Sequence, residues 1–371
     1  SFKNLPYRVS LGYLNQDGIL KTGNFQRLSA ALNLSPSFFN NKLKVDLNLK
    51  GARTTNAFAN EGAIGTAVTF DPTKPIRSGS ARYGGYWEWT DPDGLPTQLS
   101  NRNPVGLLND RTNTSEVYRS IGNIQFDYQL PFLKGLRANL NLGYDVSQGS
   151  GLNTTSDSAA SSYRRQGNFS PYFQQRTNKL MDFYFNYVRS FGDINSRIDF
   201  TAGTGYQDFE FYSFNHPDRR FNGDVVPGSE PEFLSQAPGY TMISYYGRLV
   251  YTLADKYTVT LNARTDGTSK FSKESRWGFF PSAAVAWQIS EENFLKNSKV
   301  VSNLKLRAGY GVTGQQDGIP FYGYIPVYAI SNDQAQYQLG NSFVNMLRPG
   351  AYDADLRWET TTNINAAIDF G

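Results

Sequence analysis

Leu43-Lys44-Val45-Asp46-Leu47-Asn48-Leu49-Lys50 alternates apolar and polar residues without a break. Successive side chains of a strand point to opposite faces, so this stretch is a ribbon with one apolar side and one wet side. The pattern recurs at Leu136-Arg137-Ala138-Asn139-Leu140-Asn141-Leu142 and at Leu304-Lys305-Leu306-Arg307-Ala308. It returns over Tyr257 to Asp266, Ile243 to Tyr251 and Ile364 to Phe370. About twelve such stretches are present, many near the 9–11 residues that carry a tilted strand across a bilayer. The final one, Trp358 to Phe370, reads as a strand with a further partner to follow, because an unpaired edge in lipid leaves backbone groups unsatisfied. The single helical candidate is a short capped turn, Ser290-Glu291-Glu292-Asn293-Phe294-Leu295.

The connections sort by length. Short links fall at 36–41, 131–135, 191–193 and 253–256, and a compact turn lies around Glu291. Long ones alternate with them, at 54–116, 147–176, 207–239 and 315–355, with a moderate one at 267–277. Alternate connections of an antiparallel meander lie at the same end. One end is therefore tight and the other carries every long loop, as in an outer-membrane barrel with its long loops outside the cell. A soluble sandwich gives no reason for that sorting. Tyr128, Tyr144, Tyr187, Tyr251, Tyr257, Trp287 and Tyr310 fall at or near strand ends, where a barrel carries its aromatic girdles. The reading is an all-β, antiparallel transmembrane β-barrel, with residues 1–371 belonging to one barrel domain.

Composition narrows the function. Cysteine is absent, which removes disulfides and thiolate metal sites. One histidine, His216 beside Pro217, is poor material for nucleophilic catalysis or a multi-histidine metal site. A net charge of +4 is too balanced for a nucleic-acid binder. No run of 18 apolar residues offers a transmembrane helix. Asp17-Gly18, Asp91-Pro92-Asp93-Gly94 and Asp266-Gly267 read as turns and not as calcium loops. Gly309-Tyr310-Gly311 is not a phosphate cradle, since no helix follows it. The expectation is a protein without cofactor, metal or catalytic residues. Polar residues of the wet face, such as Lys44, Asp46, Asn48, Arg137, Asn139, Lys305 and Arg307, face the lumen. The aromatic loop stretches hold the candidate substrate or partner contacts: Tyr83, Tyr86, Trp87 and Trp89, then Tyr322 and Tyr324. Rings plus planar polar groups suit a sugar; equally, compact loops pack on their own side chains.

Several phrases resemble the SusC/RagA family of TonB-dependent transporters. They are Tyr7 to Ile19 (Tyr7-Arg8-Val9-Ser10-Leu11-Gly12-Tyr13-Leu14-Asn15-Gln16-Asp17-Gly18-Ile19), Phe25-Gln26-Arg27-Leu28-Ser29 with Asn33-Leu34-Ser35-Pro36, Phe70-Asp71-Pro72 with Pro75, Asn103-Pro104-Val105-Gly106-Leu107-Leu108, Leu306-Arg307-Ala308-Gly309-Tyr310-Gly311-Val312-Thr313-Gly314-Gln315-Gln316-Asp317 and Leu356-Arg357-Trp358-Glu359-Thr360-Thr361-Thr362. They stand in the family's order and span nearly the whole chain. The resemblance implies an outer-membrane barrel of about 22 strands, its lumen filled by a plug domain. It implies import of a glycan or oligopeptide in Bacteroidetes, driven through TonB, with a SusD-like surface lipoprotein as partner and lipid around the barrel. Plug and TonB-contacting segment are not recognisable in this sequence. A passive porin or a surface adhesin is the alternative reading.

Overall fold

The computed structural model describes residues 5–331 and 335–371. Twelve long strands form one continuous antiparallel meander, each paired with its neighbours in sequence. They are β1 (Tyr7–Asp17), β2 (Asn24–Leu34), β3 (Leu43–Ala57), β4 (Arg111–Gln129), β5 (Leu136–Thr155) and β6 (Asn168–Phe191). Then follow β7 (Ser196–Phe214), β8 (Gly239–Leu253), β9 (Tyr257–Thr268), β10 (Trp277–Gln288), β11 (Leu304–Gln315) and β12 (Glu359–Phe370). Connections alternate between short and long, as the spacing predicts.

Two differences from the sequence reading have physical causes. Residues 147–155 and 168–176, read as loop, continue β5 and β6, which leaves only 156–167 between them. These segments are rich in Ser, Gly, Gln and Asn and lack apolar alternation, yet their backbones pair over the full register. Strand β6 has 24 residues; at ~3.3 Å per residue it is much longer than a bilayer crossing needs. The wall therefore rises beyond any apolar band at the long-loop end. The second difference is the capped helix at Ser290. The chain makes one 3-10 turn, Ile289–Glu291, with no side-chain cap. The Glu292 carboxylate instead accepts from Lys256 Nζ at 3.0 Å, Tyr257 Oη and Trp287 Nε1 at 3.1 Å. It ties two adjacent short turns together, and that cross-strand use outcompetes a local cap.

The outward face carries the apolar band. On β9 and β10, Tyr257 stacks on Trp287 with centroids 6.3 Å apart. Ten residues further along β10, Trp277 stacks on Tyr245 of β8 at 6.0 Å. Two rings of aromatics one crossing apart, with exposed Val259, Leu261 and Val285 between them, are the girdles and lipid face of a membrane barrel. Charge marks the upper boundary on other strands. Outward Lys179 pairs with Asp208 at 3.4 Å and Glu210 at 3.6 Å, and Arg53 pairs with Glu116.

The inward face is polar and cross-linked. Asn33, Asn48, Asn123 and Asn141 form an amide ladder across β2–β5, with the Asn48–Asn123 and Asn123–Asn141 steps at 3.1 and 3.0 Å. Arg137 makes a two-pronged contact with Asp127, at 2.8 and 2.6 Å. Tyr184 and Tyr246 close over Gly203, where an added Cβ would fall 2.6 Å from Tyr184 Cβ and 2.8 Å from Tyr246 Cζ. The glycine makes the shelf on which two rings lie against the wall.

Candidate functional site

The long connection 58–110 is a folded unit, not a tether. It contains α1 (Gly62–Thr69) and α2 (Pro104–Asn109). Its anchor is Asn103, which is 1% exposed. The Asn103 side-chain oxygen accepts from the Val105 and Gly106 amides, which caps α2, and Pro104 supplies the first helical position. Its amide nitrogen donates to the Ile76 and Trp87 carbonyls at 3.0 and 3.3 Å. The Asn103 backbone N–H donates to Glu88 at 2.9 Å. One side chain thus fastens three segments.

Around it lie the sequence-selected rings. Tyr83 and Tyr86 are 5% and 4% exposed and belong to the loop's core. Tyr83 Oη donates to the Gly94 carbonyl. Tyr86 Oη accepts from Asn109 at 2.8 Å, and the Arg77 guanidinium lies 4.1 Å over the Tyr86 ring. Trp87 and Trp89 meet edge to face at 4.7 Å, with Lys74 over both. Of these four rings, Trp89 is the most open, at 36%. Tyr322 is exposed with a left-handed φ of 60°, and Tyr324 is half-buried. The two groups of rings sit on separate connections. The connection 316–358 includes residues 332–334, which lie outside the described residues.

Loops 58–110 and 156–167 pack together. Tyr83 meets Tyr163 at 5.0 Å, and Arg164 pairs with Asp91 at 2.7 Å. Asp91 also serves its own turn, accepting from Leu95 N–H at 2.8 Å. Two carboxylates in this unit are shifted. Burial pushes Asp110 up to about 6, against the pull of Arg77. Burial raises Glu88 as well, opposed by the Asn103 N–H and by Arg102, 3.6 Å away.

A second cluster roots the connection 316–358. Trp358 packs on Phe271 and Phe280, with centroids 5.6 and 5.3 Å away, and donates to the Arg276 carbonyl at 3.0 Å. Gly314 and Gly278 leave the room that Phe280 fills. Leu306–Asp317 and Leu356–Thr360, separate in sequence, meet here. Beside them Lys270, 7% exposed, sits 4.5 Å over Tyr240 and 5.4 Å over Phe321. Lys270 was not flagged by its sequence context; neither were Asn103 as a cap and Asp110. The Asn-Pro-Val signature of a helix start was legible for Asn103. Nothing local marks the other two, whose settings are built by distant segments.

On the lumenal wall, toward the short-turn end, lies a recess of about 980 Å³. It runs from β4 to β9 and includes Asp127, Arg137, Tyr184, Arg197, Asp199 and Arg248. Its chemistry is that of polar recognition: guanidinium, carboxylate, amide and hydroxyl groups, with no nucleophile set beside a base.

A polar-lined antiparallel wall with an aromatic-bounded apolar exterior defines an outer-membrane β-barrel. A family model described as TonB dependent receptor-like, beta-barrel, matches residues 68–371, and the chain belongs to that family, within its SusC/RagA type. The TonB-dependent receptor SusC of Bacteroides thetaiotaomicron is 38% identical over 392 aligned residues, covering 100% of this chain and 38% of that protein. TonB-dependent receptor P26 of Formosa agariphila is 30% identical over 99% of this chain and 36% of its own length. The chain thus spans under two-fifths of these relatives. Among solved structures, the RagAB peptide importer in its closed-closed state superposes over 100% of this chain and 41% of its own, with a TM-score of 0.73 at 19% identity. The siderophore receptor PirA from Acinetobacter baumannii reaches a TM-score of 0.56 at 14% identity over 100% of this chain and 46% of its own. At those identities the likeness is one of fold.

Proposed function

We propose that this chain is part of the barrel of an active nutrient importer, which takes an oligosaccharide or an oligopeptide across the outer membrane with a SusD-like lipoprotein and energy delivered through TonB. The observation that carries the reading is the 38% identity to SusC along the whole chain. The architecture supports it. Loops with their own cores, stacked on strands of up to 24 residues, build a tall vestibule at the long-loop end, which is the extracellular one in this reading. A passive pore has no need of such a wall. The protein binds and passes a solute and performs no covalent step. Within the vestibule, Trp87, Trp89 and Tyr322 are the rings that offer surface to a solute or a partner, while Tyr83 and Tyr86 hold the loop.

The test is isolation of the full-length protein from the native outer membrane, with co-purifying proteins identified by mass spectrometry. A stoichiometric SusD-like lipoprotein is expected. A lone barrel whose complete chain carries no plug domain would overturn the reading and leave a porin or adhesin. For the rings, Trp87→Ala with Trp89→Ala is expected to lower uptake; unchanged uptake removes them from the solute's path.

A further inference from the structure

Beyond the outward charged row, strands β3 to β7 continue, and the outer side of that extension is a surface of its own kind. Phe173 on β6 gathers there with Tyr212 and Phe214 on β7. Its ring centroid lies 6.3 Å from that of Tyr212 and 5.3 Å from that of Phe214, and the latter two are 5.2 Å apart. Counted in twos from outward Lys179 and Asp208, all three rings face outward. Phe173 and Phe214 stand six residues beyond those charges, about 20 Å further along the strands. Phe214 is 45% exposed. Beside the rings a recess of about 560 Å³ opens on the same face, from Asn24 on β2 to Leu152 on β5. The register makes the two continuous: Thr55 stands opposite Glu116, Glu116 opposite Ser150, and Ser150 opposite Phe173. The recess presents the amide of Asn24 and the hydroxyls of Thr55, Thr114 and Ser150.

We propose that this surface binds the core sugars of the glycolipid that forms the outer leaflet around the barrel. A sugar lays its C–H face on an aromatic ring and its hydroxyls on amides, hydroxyls and carboxylates, and the rings and the recess offer both side by side. Height excludes acyl chains. The hydrocarbon ends below the Lys179–Asp208–Glu210 and Arg53–Glu116 groups, because charge on the lipid face is costly at depth. Charge argues against a grip on lipid phosphates. Arg53 and Lys179 are already paired, and the row sets three carboxylates against these two cations. Direction excludes the nutrient, since a solute held on the outer side of the wall is on the wrong side for passage through the lumen. What remains is the saccharide layer, which continues upward from the lipid that the girdles and apolar band already meet.

The inference needs the barrel to span the outer membrane and does not need it to import. The test is native mass spectrometry of the full-length protein in lauryldimethylamine oxide, a detergent without a sugar head. The protein is titrated with rough lipopolysaccharide, which carries core sugars, or with lipid A, which carries none. Rough lipopolysaccharide is expected to bind about tenfold more tightly than lipid A. Phe173→Ala/Phe214→Ala is expected to erase that preference and leave lipid A binding unchanged, whereas Phe173→Tyr/Phe214→Tyr keeps it. Raising the ammonium acetate concentration should leave the preference in place, since stacking and hydroxyl contacts are not screened as charges are. Heat-modifiable migration on gels shows that each barrel is folded, and Phe214→Ala alone, with a smaller loss, serves if the double variant does not fold. Equal binding of the two lipids by the native protein, or an unchanged preference in the alanine variant, overturns the proposal. So does a preference that fades with salt, which would assign it to core phosphates. A variant that keeps the preference but loses a dimer formed by the native protein overturns it too, and would give the rings to a second copy of this chain.

Discussion

Asp110 sits at the end of α2, its carboxylate close against Gly84, whose φ of 65° and lack of a Cβ permit the approach. Its folded value of about 6 lies above the 3.8 of a free aspartate, so the protonated form favours the folded loop. The sign follows. Its contribution is complete below about 4, the unfolded value, and is lost as pH rises through 6. The charged groups facing it are Arg77, which pulls the other way, and Glu88, which is itself shifted upward. Amide exchange across 83–110, corrected for its intrinsic pH dependence, should therefore be slower at pH 5 than at pH 7.5, and Asp110→Asn should flatten the difference. An unchanged difference in that variant would assign it to other groups. Asn103 makes a harsher case. Asn103→Ala removes a cap and leaves the buried Ile76 and Trp87 carbonyls without their donor, at a cost of about 2–4 kcal/mol to the loop. Proteolysis should then cut between 58 and 110 while the strands stay intact. The aromatic stretch 83–89 shows what composition alone conveys. It offers the rings as candidate contacts for a solute or partner, but whether a ring faces solvent or its own loop depends on partners such as Asn109 and Tyr163, which no local pattern reveals.

Strands were legible and strand ends were not. Alternation located the apolar half of β5 and β6, because lipid demands it on one face. Beyond the charged row of Lys179, Asp208 and Glu210 both faces meet water, and the pattern fades although the pairing continues. The phrases Leu306–Asp317 and Leu356–Thr360 were legible as a resemblance, yet their physical reason needed the fold: Gly278 and Gly314 make the cavity that Phe280 fills against Trp358. Gly314→Ala places a methyl group into that ring and should cost about 1–3 kcal/mol by overpacking. Adding Phe280→Leu should recover part of it in a double-mutant cycle followed by thermal unfolding. Additive losses would mean that the glycine is needed for its backbone and not for the space it leaves.

At the scale of the whole molecule, the assignment of faces carries every functional statement, because it decides which residues meet lipid and which meet solute. Leu261 and Thr260 are adjacent on β9 and so point to opposite sides. Leu261 lies midway between the Tyr257–Trp287 and Tyr245–Trp277 girdles, 46% exposed on the outward face. Thr260 stands opposite Val250 and Ala284, on the face that carries Asn262 and Arg264. An arginine at the bilayer midplane of a barrel costs about 2–4 kcal/mol, whereas one on a wet wall costs little. Leu261→Arg should therefore lower the urea-unfolding free energy of the full-length protein in vesicles by about 2–4 kcal/mol, and Thr260→Arg by less than about 1 kcal/mol. A one-residue slip in register would exchange the two results, since every side chain of the strand would change face. Equal costs would mean that neither side of β9 is in lipid, and the girdles would then have to be read as the rim of a soluble sheet.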